Sequence, residues 1–256
     1  MNNFEIAGKV CLVTGASRGI GAAVARGLGD CGASVAVHYR SGQAEAEQVA
    51  AGVERSGGAA LLLQGDIAEP ATLDRLVAET VARFGRLDIL INNAGDQISR
   101  VNIADTTDEL FDTHVALNIR PTFAGSRAAV RQFRKQGSGG NIINVSSIAA
   151  RTGGGGGSYL YAGAKGFIST FSRALAKEVA TEGIRVNVVS PGVIATDLQD
   201  RVTSPEQLRS TALQIPMRRV GVPDECTGAF LFLCSDKLSG YVTGQVIEVN
   251  GGLLMP

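Results

Sequence analysis

The sequence predicts an α/β fold: one doubly wound, seven-stranded parallel sheet with helices on both faces. Three observations predict it. Seven short runs are continuously apolar rather than alternating, which is how strands buried on both faces read. These runs alternate with longer stretches of helical spacing, which implies parallel strands joined by right-handed crossovers. No Pro/Ser-rich linker or composition shift divides the chain, so residues 1–256 read as a single domain.

The elements follow in order. Residues 10–13 form the first strand, and small and apolar residues at helical spacing follow over 19–32. A second strand spans 35–39, and a helix over 44–55 is ended by Gly57-Gly58. Residues 60–63 are the third strand. Pro70 sits at a helix start, and Leu73, Leu76, Val77, Val81 and Phe84 give a 3.6-residue stripe. Strand four spans 87–91, a long helical region 108–129, and strand five 141–145. A long helix over 159–180 precedes strand six at 186–189; Pro223 opens a helix to about 235, and 246–249 is the last strand. The pattern weakens over 195–219, after the carboxyl end of strand six, where a substrate lid is expected.

Composition excludes several classes. Apolar residues make up 45%, too many for a disordered chain. Lys+Arg and Asp+Glu balance at 24 each, which argues against nucleic-acid binding by phosphate neutralisation and against a polybasic membrane surface. No apolar run approaches the ~18 residues of a membrane helix, and residues 1–9 carry no basic-then-apolar leader pattern. Four scattered cysteines, without C-x-x-C spacing, fit a reducing compartment, so a cytoplasmic protein is expected. His38 and His114 lack carboxylates or cysteines at ligand spacing, so no metal site is readable. Glycine is the outlier, 33 residues against a usual ~7%.

Part of that excess sits in Val13-Thr14-Gly15-Ala16-Ser17-Arg18-Gly19-Ile20-Gly21, between the first strand and the first helix. Gly15, Gly19 and Gly21 permit a tight turn and close approach to a pyrophosphate, which the helix N-terminus then receives. With its strand before and helix after, this is the dinucleotide fingerprint of a Rossmann fold, spaced G-x-x-x-G-x-G. Ser17, Arg18 and Ile20 complete the loop. An acid at the end of strand two would bind the ribose hydroxyls of NAD; here stand His38-Tyr39-Arg40. Arg18 and Arg40 suit a 2′-phosphate, so NADP(H) is expected over NAD(H).

Tyr161 and Lys165 lie four apart on a predicted helix and share a face. A neighbouring ammonium favours the phenolate, which makes the tyrosine a usable general acid/base. The pair follows a strand, then Ser146-Ser147, then five glycines, 153–157.

With these segments, Asp66-Ile67, Asn92-Asn93-Ala94-Gly95, Asn118, Arg185-Val186-Asn187, Pro191-Gly192 and the 244–252 end, the chain resembles the short-chain dehydrogenase/reductases over essentially its whole length. Its nearest likeness is to 3-oxoacyl-[acyl-carrier-protein] reductases and glucose dehydrogenases. The resemblance implies that Tyr161 exchanges a proton with the substrate oxygen and that Ser147 rather than Ser146 hydrogen-bonds that oxygen. Lys165 would lower the tyrosine pKa and bind the nicotinamide ribose, and Asn118 would hold a relay water. Asp66 and Ile67 would border the adenine; Asn92, Ala94 and Gly95 would line the crevice, with Pro191 and Gly192; Ile194 and Thr196 would meet the carboxamide. It further implies a homotetramer, for which the apolar 226–235 helix and the tail Leu253-Leu254-Met255-Pro256 are the expected surfaces. The expected activity is NADP(H)-dependent hydride transfer between nicotinamide and a small carbonyl/secondary alcohol substrate. An NAD-dependent sugar, polyol or steroid-like alcohol dehydrogenase is the alternative, and a non-catalytic cofactor-sensing protein a third.

Three departures bear on substrate. The glycine run lengthens the Ser147–Tyr161 stretch, which suggests an open pocket border. Asp96 and Gln97 put polar groups after Gly95. Glu182 stands before Gly183, where carrier-protein reductases present a base; an acid there repels an acidic carrier, with Arg131, Arg134 and Lys135 as possible compensation.

Overall fold

The computed structural model describes residues 4–255; Met1 to Asn3 and Pro256 of the apolar tail lie outside them. The strands are β1 (Val10–Val13), β2 (Ser34–Tyr39), β3 (Ala60–Gln64), β4 (Ile89–Asn92), β5 (Gly140–Val145), β6 (Ile184–Pro191) and β7 (Val246–Val249). They form one parallel sheet in the order β3-β2-β1-β4-β5-β6-β7. The chain runs outward from β1 to β3, then returns to lay β4 on the other side of β1. That reversal opens a crevice beyond the carboxyl ends of β1 and β4, the place where such sheets hold ligands.

Successive strand residues point to opposite faces, and both faces are apolar. Cys11, Val13, Val35, Val37, Ile89 and Ile91 pack against α1 (Gly19–Asp30), α2 (Gln43–Arg55) and α10 (Pro223–Cys234). Leu12, Ala36, Leu90, Ile142 and Val186 pack the other way, against α3 (Thr72–Phe84), α5 (Arg120–Gln136) and α7 (Tyr159–Val179). All four cysteines are buried and free.

The expected single helix over 108–129 is three pieces: α4 (Asp108–His114), a π turn (Val115–Ile119) and α5, which runs on to Gln136. Pro121 causes the break, because its ring cannot sit in a regular helix interior and instead occupies the first turn of α5. The π turn sets Asn118 behind the crevice wall, buried against Gly95 and Asp96, a placement common for such turns near functional sites. Pro70 precedes α3 by two residues. The weak stretch after β6 holds α8 (Asp197–Val202) and α9 (Pro205–Gln214). Ser204 caps α9 by accepting from the Gln207 amide at 3.2 Å while Gln207 reaches back to the Ser204 amide at 3.0 Å. Two short helices were also not read from the sequence, α6 (Ala149–Thr152) and α11 (Asp236–Ser239).

Candidate active site

A cavity of about 840 Å³ occupies the crevice, from the β1–α1 loop at one end to α8 and α9 at the other. At the loop end the backbone is held by polar side chains from three strands. The Thr14 hydroxyl accepts from the amides of Asn93 and Ala94, each at 3.0 Å. Asn93 Nδ2 donates to the carbonyls of Thr14 and Gly15 at 2.9 and 3.0 Å. Gly21 must be glycine, since a Cβ there would stand 2.3 Å from the Gly15 carbonyl oxygen and 2.5 Å from Asn93 Nδ2. α1 starts at Gly19 with no side-chain cap, so its first-turn N–H groups face the cavity. Backbone donors, a dipole end and no side chain in the way fit a dinucleotide pyrophosphate.

His38 is a residue whose place here the sequence did not signal. It is buried, accepts from the Gly15 amide through Nδ1 at 3.1 Å, and bonds the Gly65 carbonyl through Nε2 at 3.1 Å. These partners fix a neutral ring with its proton on Nε2. Burial, the main cause, pulls its pKa down to about 4. The available signal was a lone histidine in an apolar strand ending beside the glycine loop.

The remaining expected residues divide. Gly15, Ser17, Arg18, Gly19, Ile20, Gly21, Tyr39, Arg40, Ile67, Ala94, Gly95, Pro191, Gly192, Ile194 and Thr196 line the cavity, together with Ser147, Tyr161 and Lys165. Asn92 does not: it is buried, with Nδ2 donating to Asn144 at 2.8 Å and Ser126 at 3.3 Å, and ties β4 to β5 and α5. Asp66 also lies off the cavity wall; its carboxylate accepts from the Ala68 amide and stands 4.0 Å from Arg40. Arg18 pairs with Asp197 of α8 at 3.1 Å.

The chemical groups converge at mid-cavity. Tyr161 and Lys165 rise from the first turns of α7, and Ser147 follows β5. The Ser147 hydroxyl lies beside Tyr161 on the cavity wall and accepts from the Ala149 amide at 3.2 Å. Ser146 turns away, donating to the Lys165 carbonyl at 2.8 Å and meeting the Ser169 hydroxyl at 2.9 Å, so it fastens β5 to α7. Asn118 and Lys165 close on Gly95, with Asn118 Oδ1 and Lys165 Nζ at 2.9 and 3.3 Å from where a Cβ would stand. The Asn118 side chain is engaged at both ends, accepting from the Asp96 amide at 3.0 Å and donating to the Asp96 carbonyl at 2.9 Å.

The ammonium of Lys165 donates to the Val145 carbonyl at 2.8 Å and stands 5.5 Å from the tyrosine ring centre. Burial dominates both groups, pushing Tyr161 up to about 12, against the pull of the neighbouring Ser147 hydroxyl, and Lys165 down to about 8. The phenol is therefore a held proton near neutrality.

The 153–157 run borders the cavity through Gly154 and Gly155. Gly157 has φ +73°, and a Cβ on it would stand 2.8 Å from the Val101 amide nitrogen. That amide donates to the Gly157 carbonyl at 3.3 Å, and Gln97 Nε2 donates to the Ser158 hydroxyl at 2.7 Å. Gly157 is glycine because another backbone lies against it; Gly153 and Gly156 have open space where a Cβ would stand.

Known proteins resemble this chain along its length. A family model described as enoyl-(acyl carrier protein) reductase matches residues 15–254. The 3-oxoacyl-[acyl-carrier-protein] reductase FabG of Escherichia coli is 40% identical over 257 residues, covering 99% of both chains. Versicolorin reductase 1 of Aspergillus parasiticus is 39% identical over 262 residues, covering 98% of each. Among solved structures, an NADH-dependent reductase A1-R' responsible for alginate metabolism superposes with a TM-score of 0.90 at 33% identity, covering both chains fully. The matching sheet, the glycine loop and this coverage show that the chain belongs to the short-chain dehydrogenase/reductase family of nicotinamide-dependent oxidoreductases.

Proposed function

We propose that the protein is an NADP(H)-dependent oxidoreductase that interconverts a small carbonyl compound and its secondary alcohol. The observation that carries this reading is the convergence of the Ser147 and Tyr161 hydroxyls and Lys165 on one cavity, whose other end is an uncapped helix N-terminus. A carbonyl oxygen seated between the two hydroxyls accepts a hydrogen bond from Ser147 and the proton of Tyr161. The glycine loop would hold a nicotinamide coenzyme, which would supply the hydride that the carbonyl carbon takes up. Hydride and proton together give the alcohol, and the reverse direction returns both. A phenol held protonated by burial suits the donor's part. Lys165, buried and cationic behind Tyr161, offsets negative charge as the proton leaves. Asn118 positions the Asp96 end of the wall opposite.

Support for NADP(H) comes from β2, whose end places His38, Tyr39 and Arg40 on the cavity and no carboxylate, and from Arg18 beside it. Both arginines face exposed carboxylates, Asp197 and Asp66, in pairs of ~1 kcal/mol or less that a 2′-phosphate can displace. Those same acids, and the NADH-dependent relative, favour NAD(H) as the second reading. Apparent KM values for NADPH and NADH, measured against ketones, quinones, sugars and 3-oxoacyl thioesters, decide between them. Unchanged turnover in Tyr161→Phe would overturn the mechanism.

The substrate is read as a free small molecule rather than a carrier-bound one. Glu182 holds Arg134 in a two-pronged pair at 2.7 Å, which uses up a base that could have met an acidic carrier. The proposal includes a cytoplasmic homotetramer. Within α10, Phe230 and Leu233 are fully buried in the subunit, while Leu231 and Phe232 are only partly buried and remain open to a tetramer surface. Its support is an exposed aromatic face on α5 and α7, where Phe123, Phe167 and Phe171 stack and Phe123 and Phe167 are 44% and 37% exposed. Light scattering at micromolar concentration should give four times the subunit mass. No helix among the described residues is long and apolar enough to cross a membrane.

A further inference from the structure

The cavity end beyond Tyr161 is lined by polar side chains from two walls. Gln97 and Arg100 come from the segment after β4; Arg201, Gln207 and Ser210 come from α8 and α9. An alkyl chain there would strip these groups of water and return no hydrogen bonds, at ~1–3 kcal/mol for each. A substrate that fits must bring its own polar atoms.

The charges narrow its chemistry. Arg201 Nη2 donates to Asp96 Oδ1 at 2.8 Å, from α8 across to the segment after β4. Arg100 Nη2 donates to the hydroxyl of Thr203 at 3.3 Å, crossing the same gap in the opposite direction. Thr203 lies two residues beyond Arg201, so both guanidinium groups stand at one end of the cavity. Arg100 is pressed there by the glycine run: its Nη1 lies 3.5 Å from where a Cβ on Gly155 would stand. Among the described residues lining this end there are two carboxylates, Asp96 and Asp197, and each is already paired, Asp96 with Arg201 and Asp197 with Arg18, which leaves Arg100 facing a hydroxyl rather than an acid. The Asp96–Arg201 pair is partly exposed, with side chains 29% and 57% accessible, so it opens at little cost.

We propose that this end is a carboxylate subsite and that the substrate is a small hydroxylated oxo acid, or the matching hydroxy acid. Its carboxylate lies between Arg100 and Arg201 while its carbonyl meets Ser147 and Tyr161. A guanidinium fork matches a carboxylate's two oxygens, and Gln97, Gln207 and Ser210 serve the hydroxyls. The proposal rests on the reductase reading given above and deepens it.

The test compares an acid with neutral partners of similar size: 5-oxo-D-gluconate against D-fructose and against its own methyl ester. Coenzyme oxidation is followed for the wild type, Arg100→Met and Arg201→Met. The acid should exceed its neutral partners in kcat/KM by at least tenfold. Each variant should lower kcat/KM for the acid about ten- to a hundredfold, mainly through KM. Each should leave reduction of the neutral ketone ethyl acetoacetate within about twofold of wild type, which also shows that the variant folds. Equal or better turnover of the neutral partners overturns the subsite. So does turnover of ethyl acetoacetate alone, with the reductase reading left standing. Failure with every carbonyl compound overturns that reading and this subsite with it.

Discussion

At the glycine-loop end of the cleft the contacts run through backbone and are largely buried. The Thr14 hydroxyl, Asn93 Nδ2 and His38 Nδ1 each hold a main-chain group. At the α8–α9 end they run between exposed side chains: Asp96 with Arg201, Arg100 with Thr203, Arg18 with Asp197. The first construction fixes a surface for a ligand part that does not vary. The second can be rewritten residue by residue without disturbing the sheet, because exposed pairs contribute little to stability. Tyr161 and Ser147 stand where the two meet.

Several substitutions probe that contrast, beginning with the largest effect. Tyr161→Phe should lower kcat by about 10²–10⁴-fold, with coenzyme affinity from fluorescence titration unchanged within about threefold; weakened coenzyme binding would place the tyrosine in the loop-end construction instead. Gly21→Ala drives a Cβ onto the Gly15 carbonyl. It should cost about 1–3 kcal/mol in urea unfolding, as overpacking does, and weaken coenzyme binding more than tenfold. The matching change in the glycine run, Gly156→Ala, meets nothing within 4 Å, and should stay within about 0.5 kcal/mol of wild type. If the two alanines cost the same, the contrast fails.

His38 gives the loop end a pH dependence. Its pKa falls from 6.5 unfolded to about 4 folded, so between those values the unfolded chain binds the extra proton. The stability this neutral ring contributes is whole above pH 6.5 and is lost as pH falls toward 4, by roughly 3 kcal/mol in all. Protonation also removes the acceptor for the Gly15 amide. Urea midpoints between pH 7 and 4.5 should fall more steeply in the wild type than in His38→Gln; parallel curves would remove His38 from the loop's support. The smallest effect belongs to the other end: Arg201→Met should move the unfolding free energy by less than about 1 kcal/mol.

The aromatic face and the cysteines show how far pattern carries. Cys11 and Cys234 stand in apolar runs and are buried as those runs require. Phe230 and Leu233 read as a subunit interface from hydropathy alone, yet they fill the core against α1. A periodic stripe reports that a face is covered; what covers it depends on a neighbour distant in sequence.

The sequence by itself determined the sheet and the glycine loop, because each rests on local spacing: continuous apolar runs and a strand–turn–helix; four residues along one helix paired Tyr161 with Lys165, and Ser147 came from the family resemblance. Most of the expected cofactor residues lie on the cavity for the same reason. Only the tertiary structure separated Asn92 from Asn93, neighbours in chain of which one ties strands together and the other holds the glycine loop. It alone found His38 bonded to Gly15, and Lys165 turned to Val145 while burial raised the Tyr161 pKa. It also explained Gly157, through the Val101 backbone that lies against it. These are contacts between segments 20 to 79 residues apart, and no local period encodes them.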